Sequence, residues 1–131
     1  MFSVSMQVRD YECDLQGVVN NAVYLNYLEH ARHQFLQHLG VDFAQYTAQG
    51  VHLMLVRCEL DFKASLRPND RFDVEVALQR ESRLKYAFVQ RIVRHPDQSL
   101  VAQARAIGVA LNPQGKPFVF MPFEADLTAE G

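Results

Sequence analysis

NNAVYLNYLEHARHQFLQHLG, residues 20–40, contains no proline and no internal glycine, and its apolar side chains fall at helical steps. Tyr24, Leu28, Ala31, Phe35 and Leu39 recur every three or four positions, and Leu25 and Leu36 widen the stripe. This spacing predicts an amphipathic helix over Asn21 to Leu39, about five turns long. Asn20 or Asn21 supplies the side-chain oxygen that caps the first free amides, and Gly40 takes the left-handed conformation that closes the helix. The first two turns (Ala22, Val23, Tyr24, Leu25, Tyr27, Leu28) are apolar on nearly every side. That end is therefore covered all round, by a sheet alone or by a sheet and a second subunit.

On the N-terminal side, Phe2, Val4, Met6 and Val8 alternate with Ser3, Ser5, Gln7 and Arg9, the period of a strand with one buried face. On the C-terminal side, after the short stretch Val41 to Gly50, four runs read as strands: Val51 to Phe62, Arg71 to Gln79, Tyr86 to Arg94 and Leu100 to Leu111. They are expected to form a meander-like antiparallel set. Pro68-Asn69-Asp70 and Asn112-Pro113-Gln114-Gly115 are turns, and Phe118 to Phe120 adds a last short strand. Within Leu100 to Leu111 one face carries only Ala102, Ala104, Ala106, Gly108 and Ala110. So small a surface lets another backbone approach closely, and the long helix is the expected occupant. The result is an α+β fold: one long helix wrapped by a curved antiparallel sheet of five or six strands.

The chain has 131 residues, room for a single domain over 1–131. With 49% hydrophobic and 21% charged residues it has material for a core and is not disordered by composition. The 13 basic residues are scattered among 15 acidic ones, giving a net charge of -2, so no basic stripe suits nucleic acid. The two cysteines, Cys13 and Cys58, form no CxxC pair, and no apolar run reaches the roughly 18 residues of a membrane span. With no leader-like pattern at MFSVSMQVRDYE, these features lead us to expect a cytoplasmic protein. One sheet with a helix on one side leaves apolar residues on its other face and at its edges, so a dimer or larger oligomer is expected.

Asp14, Gly17 and the start of the helix fall within eight residues. Backbone amides at a helix start are unpaired donors with a favourable dipole, so an oxyanion can develop there while Asp14 attacks or deprotonates water beside it. The alternative is that Asp14 only caps its own turn, as aspartate often does. Gly17 either permits a close approach that a Cβ would obstruct or serves a simple turn.

The series Asp14-x-x-Gly17-Val18-Val19-x-Asn21-x-x-Tyr24-x-x-Tyr27-x-Glu29-x-Ala31-Arg32 resembles the signature of the hot-dog-fold thioesterases of the 4-hydroxybenzoyl-CoA thioesterase type. The order of helix and strands resembles that fold from Phe2 to Phe120. A longer string is similar to the plant acyl-lipid thioesterases of the methylketone-synthase type, which cleave fatty acyl and 3-ketoacyl groups from acyl carrier protein. It comprises Val8-Arg9-Asp10-Tyr11-Glu12, Asp14, Gly17 to Ala22, Tyr24, Tyr27, Arg32-His33 and Phe35-Leu36. The resemblance implies that Asp14 is general base or nucleophile and that the backbone amide of Asn21 polarises the thioester carbonyl. Gly17 completes the catalytic set, and Val18, Val19 and Tyr24 border the substrate. Many bacterial members carry histidine at the position of Asn21, so this chain departs from their pattern there.

Aromatic residues at helical spacing are more often core, which is the reading of the residues themselves for Tyr24 and Tyr27. Glu29 stands one helical turn from both Arg32 and His33, the spacing of a structural ion pair. His30 and His33 lack the i, i+4 pattern of a helical zinc site, and no metal is expected. Cys13 has no local base and reads as a buried inert thiol. Arg57, Lys63, Arg67, Arg83, Lys85 and Arg91 are the cations available for phosphates of CoA or of a carrier's phosphopantetheine.

The reading is hydrolysis of fatty or 3-ketoacyl-CoA, or of acyl carrier protein thioesters, without a cofactor, in a homotetramer built from hot-dog dimers. An aromatic acyl-CoA substrate and a non-hydrolytic acyl-thioester-binding protein are the alternatives. A dehydratase of this fold is disfavoured, because it would resemble its relatives through a histidine that the helix start lacks.

Overall fold

The computed structural model describes residues 1–127; residues 128–131 of the expected domain lie outside the described residues. Its strands are β1 (Phe2–Gln7), β2 (His52–Phe62), β3 (Arg71–Arg80), β4 (Lys85–His95), β5 (Ser99–Leu111) and β6 (Pro117–Phe118). Its helices are α1 (Asn21–His38), α2 (Phe43–Ala48) and α3 (Met121–Glu124), and a 3-10 turn covers Asp10–Glu12. Five strands lie in the order β1-β3-β4-β5-β2, all antiparallel, with β6 beside β5.

α1 begins where the asparagines announce it. Asn20 is the cap, its side chain accepting from the Ala22 amide, and Gly40 lies at φ +77°, just past the last turn. The buried side chains of α1 are Tyr24, Tyr27, Leu28, Ala31, Phe35 and Leu36. They meet Phe72, Val74, Val76 and Leu78, the apolar alternation of β3, in one cluster with Tyr86, Phe88 and Ile92 of β4. The sheet thus wraps one long helix, as its pattern predicted.

Two expectations are corrected, and one helix is added. β3, β4 and β5 form a meander, but β2 does not join β3; it crosses to the far edge and pairs with β5, from His52 opposite Leu111 to Phe62 opposite Ala102. The stretch Val41 to Gly50, left unassigned by its pattern, holds α2, capped by the Asp42 side chain on the Gln45 amide. The expected strand Phe118 to Phe120 ends at Phe118, because Pro122 suits a helix start and α3 begins at Met121.

The small face of β5 is only partly used as expected. Ala102, Ala104, Ala106 and Ala110 are buried, but α1 lies chiefly over β3 and β1. The small residues stand instead opposite the large residues of β4: Ile92 across from Ala102, Gln90 from Ala104, Phe88 from Ala106 and Tyr86 from Gly108. A Cβ at Gly108 would come 3.2 Å from the Met54 carbonyl oxygen, so β2 makes the close approach there. Among the described residues no helix is long and apolar enough to cross a membrane.

Candidate active site

Asp14 opens a tight loop closed at its base by an isolated bridge between Cys13 and Val19. The Asp14 amide donates to the Val18 carbonyl (2.9 Å), and the Gly17 amide donates to the Asp14 carbonyl (3.0 Å). Gly17 lies at φ +76°, in the left-handed region that a side chain resists, with nothing within 4 Å of the place a Cβ would take. Backbone conformation, not lack of space, is therefore the reason for glycine. The exposed Asp14 carboxylate accepts from the Gln16 amide (2.9 Å), an Asx turn that leaves its other oxygen to solvent.

The loop runs straight into α1. The Asn20 side chain takes the Ala22 amide and the Asn20 carbonyl takes the Val23 amide (2.9 Å each), while the Asn21 amide has no partner among the described residues. An exposed carboxylate and a free helix-start amide thus stand within one short segment, at the positive end of a helix dipole.

Three bonds from other elements hold this segment. The Val19 amide donates to the Leu66 carbonyl (2.9 Å), and the Leu66 amide donates to the Tyr24 hydroxyl (3.1 Å), pinning the β2–β3 connection to the helix start. The Tyr27 hydroxyl donates to Glu12 (2.8 Å). Burial, reinforced by the Glu12 carboxylate, pushes the Tyr27 phenol well above its ordinary range, so it remains a donor at every physiological pH. The spacing did not reveal these roles, because each joins residues that no local period relates.

Asp14, Gly17, Val18 and Asn21 share this loop and helix start, whereas Val19 and Tyr24 are each 2% exposed and turn their side chains into the core. The Tyr24 ring packs edge-on against Tyr27 and Phe62. Cys13 packs against the core, and partial burial together with Asp14, Glu12 and Asp10 raises its thiol pKa, the condition of an inert thiol. No group of three or more His, Cys, Asp or Glu side chains able to hold a metal occurs among the described residues. Of the six candidate phosphate cations, Arg57 is paired with Glu59 and Arg91 with Glu75. Lys63, Arg67, Arg83 and Lys85 make no ion pair among the described residues, and Arg67 directly follows the Leu66 that anchors the loop.

The ion pair expected of Glu29 does not form. Arg32 turns inward and donates to the Gln90 side-chain carbonyl (3.1 Å). Glu29 and Arg32 border a cavity of about 240 Å³ between the later turns of α1 and strands β2 and β5, and none of the expected site residues lines it.

The profile of the thioesterase-like superfamily matches residues 8–129. The chain is 36% identical over 114 residues to the chloroplastic acyl-acyl carrier protein thioesterase ATL3 of Arabidopsis thaliana, a match covering 87% of this chain and 60% of that one. It therefore spans about three fifths of the length of this plant relative. It is 24% identical to the acyl-CoA thioester hydrolase YbgC of Escherichia coli, over 86% of this chain and 84% of that protein. Among solved structures, Slr0204 of Synechocystis, a 1,4-dihydroxy-2-naphthoyl-CoA thioesterase, superposes with a TM-score of 0.88 at 22% identity, over 96% of this chain and 94% of that one. That likeness is one of fold, and it identifies the helix-wrapping sheet as the hot-dog fold.

Proposed function

The chain belongs to the thioesterase-like superfamily, and from that premise we propose that it acts as a single domain that hydrolyses acyl thioesters, with Asp14 in the chemical step. The observation that carries the reading is the exposed Asp14 carboxylate in the loop that ends at the free Asn21 amide. The thioester carbonyl accepts from that amide, at the positive end of α1, where negative charge develops as the carbon becomes tetrahedral. Asp14 takes a proton from water as the new C–O bond forms. The C–S bond then breaks and the proton passes to the departing thiolate, leaving acid and thiol. If Asp14 instead attacks directly, an anhydride forms first and water resolves it. A thiolate leaves easily, so a carboxylate, a water and an amide suffice for either route.

A fatty or 3-ketoacyl group on acyl carrier protein or CoA is the proposed substrate, supported by the similarity to the plant thioesterase and to YbgC. Val18, Val19 and Tyr24 shape the acyl approach, the last two through the backbone and the Leu66 anchor. Lys63 and Arg67 are the cations proposed for the phosphates. The protein is proposed to act as a dimer joined through β2, pairing further into a tetramer. β2 is an edge strand with Met54, Leu55 and Val56 exposed, an apolar edge that a second copy would cover.

Thiol release from a panel of fatty, 3-keto and aromatic acyl-CoA and acyl carrier protein thioesters tests this reading. Asp14→Asn is expected to lower turnover at least about a hundredfold while leaving the unfolding midpoint near the native value. Turnover unaffected by the change would remove Asp14 from the chemistry. Thioesters that bind without hydrolysis would make the protein a binding module.

A further inference from the structure

Arg32 is a half-buried cation in a largely apolar wall, and among the described residues it makes no ion pair. Its one described bond goes to a neutral group, the Gln90 amide oxygen at 3.1 Å. Gln90 is fully buried and is itself fixed, donating to the Leu28 carbonyl at 3.0 Å. The guanidinium is thus held in place by a buried amide that leaves most of its five donors unused. Burial opposes its charge, and the neighbouring Cys58 and Glu29 favour it. Arg32 lines a cavity, and its unbonded nitrogens are not sealed from solvent, so they stay open to an acceptor there.

The cavity lining suits an amphiphile. Leu36, Phe43, Leu53 and Phe88 supply apolar walls, and Met54 and Leu55 also line it, so the cavity borders the β2 edge that the proposed dimer covers. Glu29 and His33 also line it but are exposed to water, whereas the Arg32 cation is half-buried. We propose that this cavity is a binding site for an organic acid with an apolar body, its carboxylate paired with the Arg32 guanidinium in the two-pronged geometry that arginine offers. The site rests on the hydrolysis reading only for its natural occupant, because the acid released by acyl thioester hydrolysis is of this class. The rise of α1 places Arg32 about 16 Å beyond Asn21 along the helix, so the acid bound there is held apart from the reacting carbonyl.

Calorimetric titration of the protein in its solution assembly with decanoate, and separately with decanol, tests the assignment without turnover. Decanoate is expected to bind at least about tenfold more tightly than the alcohol, in the native protein and in Asp14→Asn alike. Arg32→Gln should bring the acid down to the level of the alcohol, while Arg32→Lys retains much of the difference, each variant being checked for a native-like unfolding midpoint. Equal binding of acid and alcohol, or no binding because a second copy already supplies a carboxylate to Arg32, overturns the proposal. An Arg32→Gln variant that keeps its preference for decanoate does the same. The acid and alcohol comparison on the native protein decides the matter even where Arg32→Gln does not fold. Acid binding in a protein that hydrolyses no thioester would sink the hydrolysis reading and leave this site standing; turnover without acid binding would do the reverse.

Discussion

Glu12 accepts three donors at once: the Tyr27 hydroxyl, the Arg9 amide (both 2.8 Å) and the Arg9 guanidinium (3.2 Å). One carboxylate thereby ties the turn before Asp14 to the second turn of α1. Tyr27→Phe removes the donor from a half-buried carboxylate, and a loss of about 1 to 2 kcal/mol is expected in urea unfolding. A second carboxylate acts in the sheet. Partial desolvation pushes the Asp73 carboxyl up, but hydrogen bonds from Ser5 (2.6 Å) and His95 (2.9 Å) outweigh it and hold the pKa below the ordinary range. The folded state therefore binds the proton more weakly than the unfolded chain does. This contribution is complete above the unfolded value of about 4 and is lost as pH falls below it. Unfolding midpoints measured between pH 6 and pH 3 should fall less steeply for Asp73→Asn than for the native chain.

At the scale of elements, α1 was legible to its ends because cap, apolar stripe and closing glycine all lie within one continuous stretch. The conformation of the candidate loop was legible for the same reason: Asp14, Gly17 and the helix start are near in sequence as well as in space. What local pattern does not carry is which strand stands beside which. β2 alternates no better with β3 than with β5, and only the completed sheet shows that the gap in its side chains is filled at Gly108 by β2 itself. The inward turn of Arg32 was hidden likewise, since its partner Gln90 lies on β4, 58 residues away. Gly108→Val would press a branched side chain against the Met54 carbonyl, already 3.2 Å from a Cβ there. A destabilisation of about 1 to 3 kcal/mol is expected, read from the urea midpoint at unchanged slope.

Across the whole molecule, the sheet ends in two unlike edges. β1 is short and carries alternating serines, whereas β2 runs from His52 to Phe62 with Met54, Leu55, Val56 and Phe62 each close to half exposed. A long apolar edge is an invitation to pair, and the proposed dimer answers it. Val56→Lys, placing a charge on that edge where Val56 is 53% exposed, is expected to weaken self-association at least about tenfold in sedimentation velocity and leave a folded monomer. The same crossing of β2 sets the order in which the chain can fold. The ladder partners of β2 lie 40 residues on at its Phe62 end and 59 at its His52 end (102 − 62 and 111 − 52). During synthesis an apolar strand therefore emerges long before anything in its own chain can cover it. Closing that loop is a late and slow event for a domain of this size, and until β5 arrives β2 is open to the β2 of a neighbouring nascent chain. The strand best suited to joining finished subunits is thus also the one most exposed to premature association, which makes expression rate and temperature direct determinants of how much protein reaches the native state.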